Sequence, residues 1–153
     1  MNEEKAKDPY KVALYWVQEY LARRPHSEKE IFDKLLKKDF DSETSLKAIA
    51  FAKDSGWMED PFEMAHKVYN EWDRKNKSHS WIKNYLYEKG LPQEVEKDFE
   101  RERDKAYYHL KKRFTKVDDS NYKKAAHGLS SKGFSYEEFS QAIEILKAES
   151  EKG

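Results

Sequence analysis

Ile82-Lys83-Asn84-Tyr85-Leu86-Tyr87-Glu88-Lys89-Gly90-Leu91 is a stretch that this chain writes more than once. Ile82 stands four residues before Leu86, Leu86 four before Gly90, and Leu91 follows the glycine. Ala125, Leu129, Gly133 and Phe134 repeat the spacing near the C-terminus. Ile31, Leu35, Asp39 and Phe40 repeat it near the N-terminus, with Asp in the glycine slot. An apolar residue every fourth position, then a stop, then one apolar residue describes a helix whose end folds back on itself. Gly at such a stop supplies the left-handed backbone, and the apolar residue after it packs on the last turn. Asp tolerates that conformation less well than Gly but better than most residues.

Composition narrows the class. Net charge is zero although 39% of residues are charged, which excludes a uniformly basic nucleic-acid binder. Aromatic residues at 14% argue against disorder, because four Trp, ten Tyr and eight Phe must be buried in a core or against a partner. The absence of Cys excludes disulfides and thiolate metal sites and is compatible with a reducing cytosol. No apolar run approaches the ~20 residues that span a bilayer, and MNEEKAKD is no signal peptide. Gly and Pro are few and strand-like alternation is absent, so the expected class is all-α with charged outer faces.

Working outward, end signals divide the rest into helices. Asp8-Pro9 opens the first, with Tyr10, Leu14, Val17 and Leu21 as its apolar stripe, and Arg23-Arg24-Pro25 closes it. Ser27 to Glu30 is a capping box that starts the second, with Ile31 and Leu35 inward. Asp41-Ser42 starts the third, with Leu46 and Ile49 inward and Phe51 as a further candidate; Ser55-Gly56 ends it. Asp60-Pro61 starts the fourth, with Phe62, Ala65, Tyr69 and Trp72 as its stripe, and Lys75-Asn76-Lys77 breaks it. Ser78 or Ser80 opens the fifth. Leu91-Pro92 turns into a sixth carrying Val95 and Phe99, and Asp104 caps a seventh carrying Tyr107, Leu110 and Phe114. No Gly or Pro separates these two; a break is expected because the third and fourth are broken at the corresponding point. Asp118-Asp119-Ser120 opens the eighth, with Tyr122, Ala125 and Leu129 inward. Gly128 in its interior costs about 1 kcal/mol against Ala, which predicts a tight packing contact there. Ser135 to Glu138 is a second capping box for a ninth helix lined by Phe139, Ala142, Ile143 and Leu146.

About nine helices therefore fall into three tandem three-helix repeats. Asp39, Gly90 and Gly133 lie 51 and 43 residues apart, the period of stacked helical units. The expected division is a flexible 1–9, repeats over 10–56, 57–103 and 104–148, and a frayed tail over 149–153. A unit of about 45 residues cannot hide enough apolar surface alone, so neighbours must share a core. The expected shape is elongated and curved, suited to an extended partner.

The repeats resemble the bacterial RecX family from Val12 to Leu146. The matching words are Ala13-Leu14 with Leu21, Arg23 or Arg24 and Ser27; then Glu30 and Leu35; then Gly56-Trp57-Met58-Glu59-Asp60. Ile82, Leu86 and Lys89-Gly90-Leu91 follow, and finally Leu129-Ser130-Ser131-Lys132-Gly133-Phe134-Ser135. The chain departs from the family at Asp39, where Gly is usual, and at Glu63-Met64, where an aromatic-Ala pair is usual, and it is less basic. The resemblance implies a non-enzymatic, cofactor-free cytoplasmic protein of DNA repair, homologous recombination and the SOS response. Such proteins bind the RecA recombinase filament on DNA, lie in its groove and usually inhibit strand exchange. A monomer with no membrane contact and at most weak direct DNA binding is expected; a stand-alone helical nucleic-acid-binding module is the alternative.

Local charge offers candidate contacts. From Lys105 to Phe134 eight basic residues face two acids, and Lys111, Lys112, Arg113, Lys116, Lys123 and Lys124 form the expected patch. Phosphate contact needs positive charge without base-specific geometry. The competing reading is a solvated face whose charges pair with neighbouring Glu. Arg23 and Arg24 head a second cluster with interleaved acids, for which intramolecular pairing is favoured. Trp16 and Trp81 lie beside their helical stripes and are candidates for base stacking or interface anchoring, whereas Trp72 is expected in the core. His26, His66, His79, His109 and His127 form no metal-ligand word and are expected at the surface or at helix caps. No phosphate loop or nucleophile elbow is present.

Overall fold

The computed structural model describes residues 8–152, so most of the flexible segment expected over 1–9 lies outside the described residues. Eight α-helices and no strand occur among them: α1 Pro9–Arg23, α2 Glu28–Lys37, α3 Ser42–Asp54, α4 Pro61–Arg74, α5 His79–Glu88, α6 Phe99–Arg113, α7 Tyr122–Ser131 and α8 Tyr136–Lys152. None is long and apolar enough to cross a membrane.

Two compact units are present. One contains the chain to His66 together with Tyr87–Pro92; the other contains Lys67–Leu86 and the chain from Gln93. In the first unit α1 and α2 both pack on α3. Its core is Ala13, Val17, Tyr20, Ile31, Leu35, Ala48, Ile49 and Ala52. In the second unit α6 packs chiefly on α8, and α7 touches both. Ala106, Leu110, Val117, Ala125, Leu129, Phe134, Phe139, Ala142, Ile143 and Leu146 form its core.

The helix ends follow from side-chain chemistry. Asp8 accepts from the Tyr10 amide at 2.9 Å, Asp41 from Thr44 at 2.7 Å and Asp60 from Phe62 at 2.8 Å. The Ser27–Glu30 and Ser135–Glu138 capping boxes are both closed. Asp39, Gly90 and Gly133, the three stop positions, all have positive φ, at 69°, 71° and 95°. Phe40 and Phe134 donate their amides back to Leu35 and Leu129 at 3.2 and 3.1 Å, which closes the fold-back. Gly56 and Asn76 end α3 and α4 in the same left-handed way.

Several inward expectations are corrected. Leu46 is 57% exposed and Phe62 58% exposed, because Ser45, Ala48, Ile49 and Ala52 on α3 and Met64 and Ala65 on α4 face the core instead. Phe51 lies outside, its ring edge-on to Trp57 at 5.3 Å. Tyr122 is exposed and shares a hydroxyl contact with Tyr136. No helix forms over 91–98. Only seven residues separate the Gly90 stop from the Asp98 cap, and Pro92 disfavours helical backbone at Leu91. Asp98, not Asp104, accepts from the Arg101 amide, so a single α6 starts at Phe99, which is 65% exposed. Lys97 ties the extended segment to Glu138 at 2.6 Å. Asp118 caps a tight turn through Ser120, and α7 begins later, after Asn121, whose amide braces the 116–121 loop. At the C-terminus α8 continues to Lys152.

A joint is copied between helix starts and helix stops. In the first unit the Ser27 hydroxyl, the cap of α2, donates to the Lys89 carbonyl, and Lys29 Nζ donates to the Glu88 carbonyl at 2.9 Å. A Cβ on Gly90 would lie 2.6 Å from Lys29 Cβ. In the second unit Ser78, at the equivalent position before α5, donates to the Lys132 carbonyl at 2.7 Å, and Ser80 donates to the Gly133 carbonyl at 2.7 Å. Each stop glycine is thus pressed against the start of the preceding copy's helix. Asp39, at the stop of the first copy, holds the same left-handed backbone with a side chain in place.

Gly128 is different. A Cβ there would meet only the Arg113 guanidinium, at 3.4 Å, an ordinary contact with the end of a flexible side chain. The tight packing expected at this glycine is absent. Gly128→Ala should therefore raise stability, by up to about 1 kcal/mol from helix propensity, in a urea unfolding curve. A loss of stability there would contradict this geometry.

Candidate partner and nucleic-acid interface

The last turn of α6 carries Lys111, Lys112 and Arg113, where cations also complement the helix dipole. All three are exposed, as are Lys116 in the following loop and Lys123 and Lys124 on the first turn of α7. Arg113 lies over the Phe114 ring at 5.7 Å and reaches Gly128, one turn beyond Lys124 on α7. That contact brings the end of α6 to the middle of α7. Lys111 shares the Glu149 carboxylate at 3.7 Å, and Lys112 sits over Tyr108 at 5.1 Å. Among the described residues, Lys112, Arg113, Lys116, Lys123 and Lys124 have no carboxylate at ion-pair distance, so this face is far from neutralised. Lys105, counted with it in the sequence, is not part of it: the side chain is fully buried.

The second cluster is mostly consumed internally. Arg24 binds Glu30 at 2.6 Å and the Pro25 carbonyl at 2.9 Å, bracing the turn between α1 and α2. Although burial alone would raise it, the Glu30 carboxyl is held below its ordinary pKa by Arg24 and the Ser27 amide. Arg23 remains exposed. Trp16 is half-buried, with Lys38 Nζ 3.7 Å above its ring and Tyr15 edge-on at 5.3 Å. Trp81 is half-buried beside Trp72 at 4.9 Å and Tyr85 at 5.5 Å. Trp72 is also half-buried, not in the core as expected.

A polar network in the second unit was missed by sequence reading. Lys105 Nζ lies 2.5 Å from both Glu102 and Asp73, and Glu102 accepts from the His79 amide at 2.7 Å. Arg101 Nη2 donates to the Asp73 carbonyl at 2.6 Å and to Asn76 Oδ1 at 3.2 Å, and His109 Nε2 donates to the Asn76 carbonyl at 2.7 Å. Its one sequence signal was the placement of Glu102 and Lys105 on the same helical face as Ala106 and Leu110, where charge is out of place.

Two of the histidines lie at helix ends, His26 just before the Ser27 cap and 1% exposed and His79 first in α5 and partly buried, whereas His109, partly buried within α6, departs from the expectation. His26 Nδ1 donates to the Arg24 carbonyl, leaving Nε2 to accept from Lys34 Nζ at 2.8 Å. Tyr69 and His79 share a 2.8 Å hydrogen bond. Burial, the largest cause, pushes all three imidazoles below their ordinary pKa. Their stabilising contribution is complete above the unfolded value, about 6.5, and is lost as pH falls through the depressed folded values. Melting temperature should fall between pH 7 and pH 5, and His26→Gln should flatten part of that slope. A flat profile for the wild type would contradict the burial.

Residues 18–51 match the family model described as RecX, first three-helix domain. The chain is similar in fold to the crystal structure of RecX from Lactobacillus salivarius, with TM-score 0.76 and 20% identity over 92% of this chain and 98% of that one. It is similar to a crystal structure of regulatory protein RecX at TM-score 0.74 and 20% identity, over 92% of this chain and 74% of that one. No curated protein matches the sequence. The family match and the shared fold support the resemblance read from the repeated helical words.

Proposed function

We propose that the chain is a RecX-like regulator that binds the RecA filament on DNA and restrains strand exchange. It works by contact, without bond-making chemistry, as a cytoplasmic monomer in homologous recombination, DNA repair and the SOS response. The observation that carries this reading is the RecX first-domain match over 18–51. The exposed Lys111–Lys124 face supports it by offering positive charge to filament acids or DNA phosphates, an attraction that weakens with salt.

The test is co-sedimentation with RecA–DNA filaments, together with RecA-driven strand exchange. Wild type should pellet with filaments and slow exchange at stoichiometric amounts. Changing Lys111, Lys112, Lys123 and Lys124 together to Glu should weaken association by about ten-fold or more, since 1.4 kcal/mol is one decade. No pelleting and no effect of the wild type on exchange would overturn the reading.

A further inference from the structure

The end of α4 and the start of α5 assemble three large aromatic side chains. Trp72 contacts Trp81 at 4.9 Å and Tyr85 at 5.3 Å, while Trp81 and Tyr85 are stacked, 14° from parallel. Two cations lie on them: Lys75 Nζ is 4.6 Å from the Trp72 centroid and Lys77 Nζ 4.8 Å from that of Trp81. Lys75 also shares Glu71 at 3.4 Å, whereas Lys77 has no carboxylate at ion-pair distance among the described residues. Arg74 continues the basic run on the same turn.

That turn is built to hold still. Asn76 adopts the left-handed conformation at φ 63°, and the Lys77 amide returns to the Trp72 carbonyl at 3.1 Å. From beneath, Arg101 and His109 bind the Asp73 and Asn76 carbonyls, and Lys105 holds the Asp73 carboxylate. An arrangement fixed by its supporting shell loses little freedom when a ligand arrives.

We propose that the Trp72–Trp81–Tyr85 face, with Lys75 and Lys77, is a stacking platform for single-stranded nucleic acid. The chemistry is an exchange. Each ammonium swings from its ring to a phosphate, and an unpaired base takes the place the ammonium leaves. Lys75 is exposed and Lys77 half-buried, and an ammonium–ring contact at such a site is worth less than a base–aromatic stack, which favours the exchange. Cations already on the rings disfavour a cationic ligand and attract a polyanion. Duplex DNA offers phosphates but keeps its bases stacked inside, so single strands are preferred. The platform uses none of the residues of the Lys111–Lys124 face and acts without a filament, so its failure leaves the proposed function untouched.

The probe is a fluorescein-labelled oligothymidylate about 16 nucleotides long, the upper end of single-strand site sizes, in about 50 mM salt. Wild-type full-length chain should raise its anisotropy, and a duplex of equal length should bind more weakly. Trp81→Ala should weaken binding roughly ten-fold, Trp81→Phe should retain most of it, and Lys75→Glu with Lys77→Glu should abolish it. Circular dichroism confirms that each variant is folded. A second measurement needs no variant: an iodouracil-substituted oligonucleotide, photo-crosslinked to wild type, should attach at Trp72, Trp81 or Tyr85. Any one of three results overturns the proposal: no binding by wild type, equal affinity of folded Trp81→Ala, or crosslinks confined to 111–124.

Discussion

Lys105→Ala is expected to destabilise the second unit by about 3–5 kcal/mol, the usual cost of removing one partner from a buried ion pair. Lys105 is fully buried and Glu102 is 1% exposed, so water cannot replace the lost ammonium. Asp73 keeps Arg101 at 3.3 Å, but Glu102 keeps only the His79 amide. The truncation therefore leaves a carboxylate without a counter-charge in a dry site. Lys105→Met combined with Glu102→Leu removes both charges at similar volume and should cost much less, because apolar replacement of a whole buried pair is often neutral. Urea unfolding followed by tryptophan fluorescence reads both. If the alanine variant stayed within about 1 kcal/mol of wild type, the pair would be solvated and the network misplaced.

Gly133→Ala is the second large effect, at about 3 kcal/mol. Roughly 1–2 of these come from holding an L-residue in left-handed backbone at φ 95°. The rest comes from the joint, since the new methyl would press on Ser80 Oγ and lie 2.5 Å from Ser78 Oγ. Both hydroxyls donate to carbonyls of the stop turn at 2.7 Å, and each lost bond costs about 1 kcal/mol. Gly56→Ala separates the two causes. Its φ is 75°, but nothing lies within 4 Å of the added methyl, so only the backbone cost of about 1–2 kcal/mol should appear. Equal losses at Gly56 and Gly133 would mean that the joint contributes nothing.

The sequence by itself determined most of the helices and those of their ends that are closed by local caps and left-handed stops. Capping and left-handed stops are settled within four or five residues, so Ser27 with Glu30, Ser135 with Glu138, Asp39, Gly90 and Gly133 could be read without knowing what they touch. The three-copied word was legible for the same reason, and with it the RecX likeness. The six basic residues from Lys111 to Lys124 were also legible as an exposed run.

Only the tertiary structure decided which face of each helix is wet and where the charges go. Leu46 and Phe62 fit a helical stripe yet lie outside, because period alone does not say which arc a neighbour covers. Lys105 stands in a basic run but is buried, since its partners Asp73 and Glu102 arrive from two different helices. The sixth helix failed because Pro92 and the Asp98 cap leave it only the seven residues after Gly90, a constraint that local propensity does not resolve. Most of all, the close fit at Gly90 and Gly133 comes from the helix start that presses on each turn. That pressure is a contact between residues more than fifty apart in the chain, and no local pattern encodes it.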